Sequence, residues 1–377
     1  MYTLSENIVH CSLSRSFGFK GRLCFLLCFL SYLCSGVVSA QVGNWRYDTL
    51  NTTIGSDLPP TFNPQTAIDR WGVTHFSWVT RDPNSAGLQV YHTQDQTNEI
   101  GAPFLLTDTG TVYDSLSADS TSYRFLVDHD GIIHLAFLAN VFGSNGYEIG
   151  IYYTNDRDSS YRKIPSVLLT KESGRYSMAV DSNGTAHLIW LENVEDSINV
   201  HYWNSQSRIK KLVKTVPCGS FSCQFSDPEL QVHREQLEAF VRNASGAIYQ
   251  FTLSLDGNSL GNVELLPVPL YDQTMIRRGD TDLRLRAALD SSGSYHLLIP
   301  MNKRDSLPSL FYGTNTGSNF SLTLLPPLDS TLMGFDIATD GAGNMASAWT
   351  TFRGRFPADL PKTGFAGYSL DPSGVWD

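Results

Sequence analysis

The chain has 377 residues, of which 12% are aromatic and 17% are charged, and its formal net charge at pH 7 is −10. The charged fraction lies below the roughly 25% usual in globular domains, which favours strands and turns over salt-bridged helices. An acidic chain repels nucleic acid and anionic membranes, so nucleic acid is excluded as a general partner.

The first forty residues differ from the rest of the chain. Lys20 and Arg22 precede an apolar run at residues 23–33, and small residues follow as far as Ala40. This layout predicts a secretory signal peptide at residues 1–40, with residues 41–377 secreted to an extracellular or periplasmic location. An uncleaved membrane anchor is the alternative, although the strongly apolar part is short for a span. After cleavage no membrane span is predicted.

Only two of the six cysteines, Cys218 and Cys223, lie beyond this leader. Two close cysteines in an oxidising compartment predict one disulfide. Closing so short a loop contributes about 2 kcal/mol, so the fold has to rest on its apolar core.

One motif recurs along residues 41–377: a short apolar run, Asp-x-x-Gly, two residues, His, and a second apolar run with an aromatic residue. Successive copies start about 50 to 60 residues apart. The fourth copy is degenerate, with His233, Gln236 and Ala239 at the Asp, Gly and His positions. Asp-x-x-Gly between apolar runs is typical of a hairpin turn, because Asp accepts backbone N–H bonds and Gly takes positive φ. The predicted turn residues are Asp69, Gly72, Asp128, Gly131, Asp181, Gly184, Asp290, Gly293, Asp340 and Gly343.

Each copy predicts the two inner strands of a sheet. A Tyr-rich third strand and then a fourth strand follow them. Four antiparallel strands at this period predict an all-β fold, a six-bladed β-propeller of four-stranded antiparallel blades. The last unit is one strand short, so residues 45–54 are predicted to be its outer strand and to close the ring. The blades are expected at residues 60–107, 121–169, 174–216, 228–268, 281–327 and 331–377.

Two turn sequences between third and fourth strands carry a family resemblance. Residues 153–161 begin Tyr-Thr-Asn-Asp, and residues 368–376 read Tyr-Ser-Leu-Asp-Pro-Ser-Gly-Val-Trp. They resemble degenerate neuraminidase-type (BNR, or Asp-box) repeats of the sialidase-like superfamily, whose pattern is Ser-x-Asp-x-Gly-x-Thr-Trp. The resemblance implies a six-bladed propeller. The arginine triad, Tyr–Glu pair and acid Asp of that family's enzymes have no matching numbered positions here.

The repeated histidines allow two interpretations. Imidazoles converging on a propeller axis could hold a metal ion. A residue that recurs once per blade beside the turn Asp is more typical of blade packing, because repeats carry structure and sites break symmetry. We therefore predict no metal and no cofactor. The histidines concerned are His75, His134, His187 and His296.

Charged loop residues that do not repeat form the candidate ligand site. Loops from second to third strands, and from one blade to the next, share the face opposite the Asp-x-x-Gly turns. Arginines of blades five, six and one are expected to converge there, with two residues of blade three across the face. The candidate ligand-binding residues are Arg81, Arg175, Glu192, Arg277, Arg278, Asp280, Lys303, Arg304, Arg353 and Arg355.

Arginine forks match carboxylate and sulfate groups, so this cluster predicts carbohydrate binding, preferably of an anionic glycan. The alternative to a binding site is that these arginines are solvated loop charges paired with nearby aspartates. An enzyme is the first alternative function, a sialidase-like glycoside hydrolase or a propeller polysaccharide lyase, with Glu192 as a possible acid or base and no complete catalytic set. A scaffold for protein partners is the second.

Overall fold

The computed structural model describes residues 62–81, 88–96, 99–107, 123–143, 146–157, 162–164, 176–217, 228–243, 246–268, 285–301, 309–316, 320–325, 331–339, 345–352 and 364–370. The predicted leader, the predicted closing strand at residues 45–54, and Cys218 and Cys223 lie outside these ranges. Within these ranges no helix has the length and apolar character needed to cross a membrane.

The described residues form 24 β-strands in six antiparallel sheets, which we number in chain order. Sheet one contains β1 (Phe62–Ile68), β2 (Thr74–Arg81), β3 (Leu88–Gln96), β4 (Glu99–Ile100) and β5 (Phe104–Leu105). Sheet two contains β6 (Tyr123–Val127), β7 (Ile133–Gly143), β8 (Gly146–Asn155) and β9 (Arg162–Lys163). Sheet three contains β10 (Tyr176–Val180), β11 (Ala186–Val194), β12 (Ser197–Asn204) and β13 (Lys211–Pro217).

The second half of the chain repeats this arrangement. Sheet four contains β14 (Glu229–His233), β15 (Gln236–Arg242), β16 (Ile248–Ser254) and β17 (Glu264–Leu265). Sheet five contains β18 (Arg286–Leu289), β19 (Tyr295–Met301), β20 (Ser309–Thr314) and β21 (Ser321–Leu324). Sheet six contains β22 (Thr331–Thr339), β23 (Met345–Phe352) and β24 (Gly364–Leu370).

The sheets are not the uniform set of six four-stranded blades that the repeat predicts. Five sheets have four or five strands, and the sixth has three described strands. Sheet one has an extra strand because its outer edge is divided: β4 and β5 both pair with β3, and between them the N–H of Gly101 bonds to the carbonyl of Gln94 at 3.0 Å.

Both faces of an inner strand are buried, as β11 shows. Its residues Leu188 and Trp190 pack against sheet two, whereas Ile189 and Leu191 pack against sheet four. Because side chains alternate along a strand, a strand covered on both sides is apolar at nearly every position. The short apolar runs of the motif are therefore strands between two neighbouring sheets.

Five apolar clusters hold the sheets together, and each lies between two sheets that are consecutive in the chain. The first strands of consecutive sheets also contact one another, from β1 through β6, β10, β14 and β18 to β22. Small antiparallel sheets stacked face to face in chain order make the fold a β-propeller.

Sheet four keeps the hairpin although it lacks the motif. His233 pairs directly with Gln236, so only Arg234 and Glu235 form the turn, and Arg234 takes the positive φ of 55°. A two-residue turn needs positive φ but no Asp carboxylate to hold a longer loop. The hairpin is preserved because the apolar strands on both sides still pair.

Candidate functional site

The predicted ligand residues fall mostly outside the described part of the chain. Arg81 and Glu192 lie within it: Arg81 is the last residue of β2, and Glu192 lies near the end of β11. Both strands start at an Asp-x-x-Gly turn, so both residues stand at the end of their sheet that is opposite the turns. The residues outside the described ranges are Arg175, Arg277, Arg278, Asp280, Lys303, Arg304, Arg353 and Arg355, together with Asp340 and Gly343 of the last turn.

The Asp-x-x-Gly turns are built alike in sheets one, two, three and five. In sheet three, Oδ1 of Asp181 accepts the N–H of Asn183 at 2.9 Å and that of Thr185 at 2.8 Å. The glycine takes the positive φ that the reversal requires, and Gly184 has φ of 74°. The same bonds to the Asp Oδ1 recur at Asp69, Asp128 and Asp290.

The repeated histidine is part of this turn. In sheet three, Nε2 of His187 lies 3.2 Å from Oδ2 of Asp181, and its Nδ1 lies 2.7 Å from the hydroxyl of Tyr202 on the third strand. Sheets two and five have the same arrangement, through His134 and His296. Burial lowers the pKa of His134 and His187 below its ordinary value. Each imidazole therefore bonds within its own sheet, and groups of three or more His, Cys, Asp or Glu suited to a metal ion are absent from the described residues.

Sheet one departs from the other sheets at the third strand. His92 replaces the tyrosine, and its Nε2 lies 3.1 Å from Nδ1 of His75. His92 is fully buried, with Phe104 at 4.7 Å and Phe125 at 5.5 Å between ring centroids. Burial, with a smaller contribution from the nearby His75, lowers the pKa of His92 to about 4. The His92 imidazole is therefore neutral near pH 7 and has no charge to offer a ligand.

Neighbouring turns touch one another, which gives the glycines a second role. A Cβ on Gly184 would lie 2.8 Å from Oδ2 of Asp128, the turn aspartate of the preceding sheet. A Cβ on Gly293 would lie 2.7 Å from the ring of His233, which stands at the turn Asp position of sheet four. At Gly184 and Gly293 the motif therefore needs glycine for close approach between sheets as well as for positive φ, whereas a Cβ on Gly72 would meet no atom within 4 Å.

Glu192 forms a small polar cluster with His201 of β12 and Lys210, which directly precedes β13. Its Oε2 lies 2.6 Å from Nε2 of His201 and 3.4 Å from Nζ of Lys210. The ring of His201 stacks on Trp190 at 5.4 Å, and Nζ of Lys210 lies 5.7 Å from the Trp190 centroid. Burial is the main cause that lowers the pKa of His201, against the opposing effect of Glu192. A carboxylate beside a neutral imidazole is a pair that can exchange a proton with a bound molecule.

The inner strands carry a row of polar residues that the sequence reasoning missed. Arg286 of β18 forms an ion pair with Glu229 of β14, and its Nε lies 3.9 Å from Oδ1 of Asp336 on β22. In the same position of other sheets, Gln65 bonds to the backbone of β6, and Ser177 accepts the N–H of Leu230. The available signal was a polar residue four positions before the turn Asp in every copy of the motif.

Comparison with known proteins shows no family for this chain. No family model matches the chain, and no curated protein matches it in sequence. The solved structures that resemble it include AofleA from Arthrobotrys oligospora, at 8% identity, with 84% of this chain and 85% of that chain covered and a TM-score of 0.48.

Enzymes also occur among the similar structures. A leech intramolecular trans-sialidase has 10% identity, coverage of 89% of this chain and 71% of that chain, and a TM-score of 0.46. The α-L-arabinanase of Penicillium chrysogenum has 14% identity, coverage of 64% and 77%, and a TM-score of 0.39. These TM-scores are too low to support an inference about this chain, and its assignment as an all-β propeller of small antiparallel sheets rests on its own strand pairing.

Proposed function

We propose that the protein is a secreted β-propeller that recognises an anionic glycan through the face opposite the Asp-x-x-Gly turns. The six sheets are its blades, and residues 45–54 complete the last blade and close the ring. The predicted arginines of blades five, six and one bind the anionic group.

The observation that carries this proposal is the contrast between the two ends of the sheets. At the turn end, the repeated Asp and His side chains are already occupied in holding the hairpins, as Asp181 and His187 are in sheet three. At the opposite end stand charged residues that differ from sheet to sheet, including Arg81 and Glu192. Repeated residues serve the fold, whereas a specific ligand is recognised by residues that break the repeat.

The inner strands add charge to that same end. Glu229 and Arg286 are the first residues of β14 and β18, and each strand runs from that end towards the turns. Arg286 forms an ion pair with Glu229, and its Nε lies 3.9 Å from Oδ1 of the exposed Asp336, so its guanidinium has carboxylates on both sides. Loop arginines placed around this support would form forks for carboxylate or sulfate oxygens, with geometry that lysine does not provide.

A glycan array, read at low and moderate salt, tests the proposal. We expect binding restricted to uronate, sulfate or sialate glycans and weakened by salt, because exposed charges are screened. Replacing Arg278 and Arg304 together by alanine should abolish this binding without loss of thermal stability.

The matched control removes two positive charges elsewhere, at Arg157 and Lys214, which lie in the turn after β8 and on the outer strand β13. This control should retain binding. Equal affinity in the Arg278/Arg304 variant and the unsubstituted protein would overturn the site assignment, and an array without hits would favour a scaffold for protein partners.

A catalytic role is the second candidate, and the Glu192–His201 contact favours it. A glycoside hydrolase or polysaccharide lyase needs a group that donates or accepts a proton beside the scissile bond. We expect Glu192→Gln to abolish turnover of an array hit while its binding survives. Absence of turnover by the unsubstituted protein would reject the enzyme and leave the binding function in place.

A further inference from the structure

The turn end of sheets one and two carries an exposed cluster that the hairpins do not need. Trp71 lies in the turn of sheet one, where only its backbone N–H bonds to Oδ1 of Asp69, at 2.9 Å. Its side chain is 59% exposed. The corresponding turn positions of sheets three and five are small and polar, with Asn183 and Ser292. The indole is thus an addition to the turn and breaks the repeat.

Arg70 lies over this indole, and two polar side chains of the adjacent turn contact Arg70. The guanidinium carbon of Arg70 lies 4.3 Å from the indole centroid. Its Nη1 lies 3.1 Å from Nδ1 of His129 and 3.3 Å from Oδ1 of Asp130. His129 and Asp130 occupy the middle of the turn of sheet two, as Arg70 and Trp71 do in sheet one. The side chains therefore form one continuous cluster across the boundary between two sheets.

The indole is held in place before any ligand arrives. A Cβ on Gly131 would lie 2.9 Å from Cζ3 of Trp71, so the ring rests directly against that glycine. Contact on one side with Gly131 and on another with Arg70 restricts its rotation. A side chain that is already ordered loses little conformational entropy on binding, which strengthens the complex.

We propose that Trp71, Arg70, His129 and Asp130 form a second carbohydrate site, on the turn end, for an uncharged pyranose residue. The flat apolar indole suits the C–H face of a sugar ring, and the surrounding carboxylate, imidazole and guanidinium suit its hydroxyl groups. The charges of Arg70 and Asp130 compensate each other, so this cluster does not select an anion. A single indole is too small to anchor a stable protein interface, which buries roughly 800 Å² on each partner.

This site is independent of the anionic site proposed above, because the two lie at opposite ends of the sheets. The test uses an immobilised panel of neutral gluco-, manno-, galacto- and xylo-oligosaccharides, followed by calorimetric titration of the hits. We expect binding that varies little with salt, since the sugar carries no charge.

Trp71→Ala should weaken this binding about tenfold, which corresponds to the upper range for an aromatic contact. Trp71→Phe should recover part of the affinity. Ile209→Ala is the matched control, because Ile209 is equally exposed, at 59%, but lies between β12 and β13, away from the turns of sheets one and two. This control should bind like the unsubstituted protein.

The outcomes separate the two sites. Trp71→Ala should leave binding of anionic glycans unchanged, and the Arg278/Arg304 variant should leave binding of neutral oligosaccharides unchanged. The second site is rejected if the unsubstituted protein binds no member of the neutral panel at millimolar concentration. It is also rejected if Trp71→Ala, still folded by circular dichroism, binds the hits with unchanged affinity.

Discussion

Gly257→Ala is a sharp test of how consecutive sheets fit together. Gly257 lies in the turn between β16 and β17 with φ of 82°, and a Cβ there would lie 2.0 Å from Cδ1 of Tyr202 in sheet three. The tyrosine ring has little freedom to move away. Its hydroxyl lies 2.7 Å from Nδ1 of His187 and 2.5 Å from the carbonyl oxygen of Leu255.

The expected loss has two parts. Alanine at positive φ costs about 1–2 kcal/mol, and forcing a methyl group into a packed contact costs about 1–3 kcal/mol more. We therefore expect Gly257→Ala to lower the free energy of unfolding by about 2–5 kcal/mol. The part of the loss in unfolding free energy that exceeds the cost of alanine at positive φ depends on the contact between sheets three and four.

Gly72→Ala isolates the backbone part. Gly72 has φ of 80°, but a Cβ there would meet no atom within 4 Å. Gly261→Ala, with open space and no positive φ, should be close to neutral. Urea unfolding of the three variants measures the free energies directly. If Gly257→Ala and Gly72→Ala lose the same amount, the reasoning about Tyr202 is wrong.

Two further predictions concern the turn units. Because the pKa of His92 is about 4 in the folded protein and 6.5 ordinarily, the unfolded chain binds more protons below pH 6.5. Between about pH 6.5 and pH 4, stability should therefore fall as the pH decreases, with His92 contributing up to about 1.4 kcal/mol per pH unit. His92→Tyr should flatten this slope, measured by urea unfolding, and equal slopes in the two proteins would contradict this assignment. Asp181→Ala should cost about 3–5 kcal/mol, since two backbone N–H groups and the buried His187 lose their acceptor. The exposed Asp256→Ala should cost less than about 1 kcal/mol in the same assay, and a comparable loss in both variants would refute the role of the Asp181 carboxylate.

Much of the fold can be predicted from the sequence because the motif repeats. Four copies of Asp-x-x-Gly give four turns of one geometry, since the conformational needs of Asp and Gly are local and do not depend on distant residues. The apolar runs on both sides of each turn indicate strands that are buried on both faces. These local rules predict small antiparallel sheets of a propeller even where the fourth copy has lost its Asp and Gly.

The candidate sites are predicted less well, because they depend on which side chains meet across sheets. The sequence indicated Glu192 as a ligand-binding residue that could act as an acid or base, but not the contacts with His201 and Lys210 that the structure shows. The inner-strand pair of Glu229 and Arg286 joins residues more than fifty positions apart. No local pattern reports such a pairing, although the polar residue before each turn could have suggested it.

The strand-and-turn unit, its repetition and the end of each sheet at which the turns lie all follow from the sequence pattern. The tertiary structure is needed to explain why Gly184 and Gly257 must lack a side chain, because the obstructing atoms of Asp128 and Tyr202 belong to neighbouring sheets. It also placed Arg70 and Trp71 beside His129 and Asp130. Hairpin geometry is set by backbone preferences within a few residues, whereas contacts between sheets arise when units about fifty residues apart are stacked.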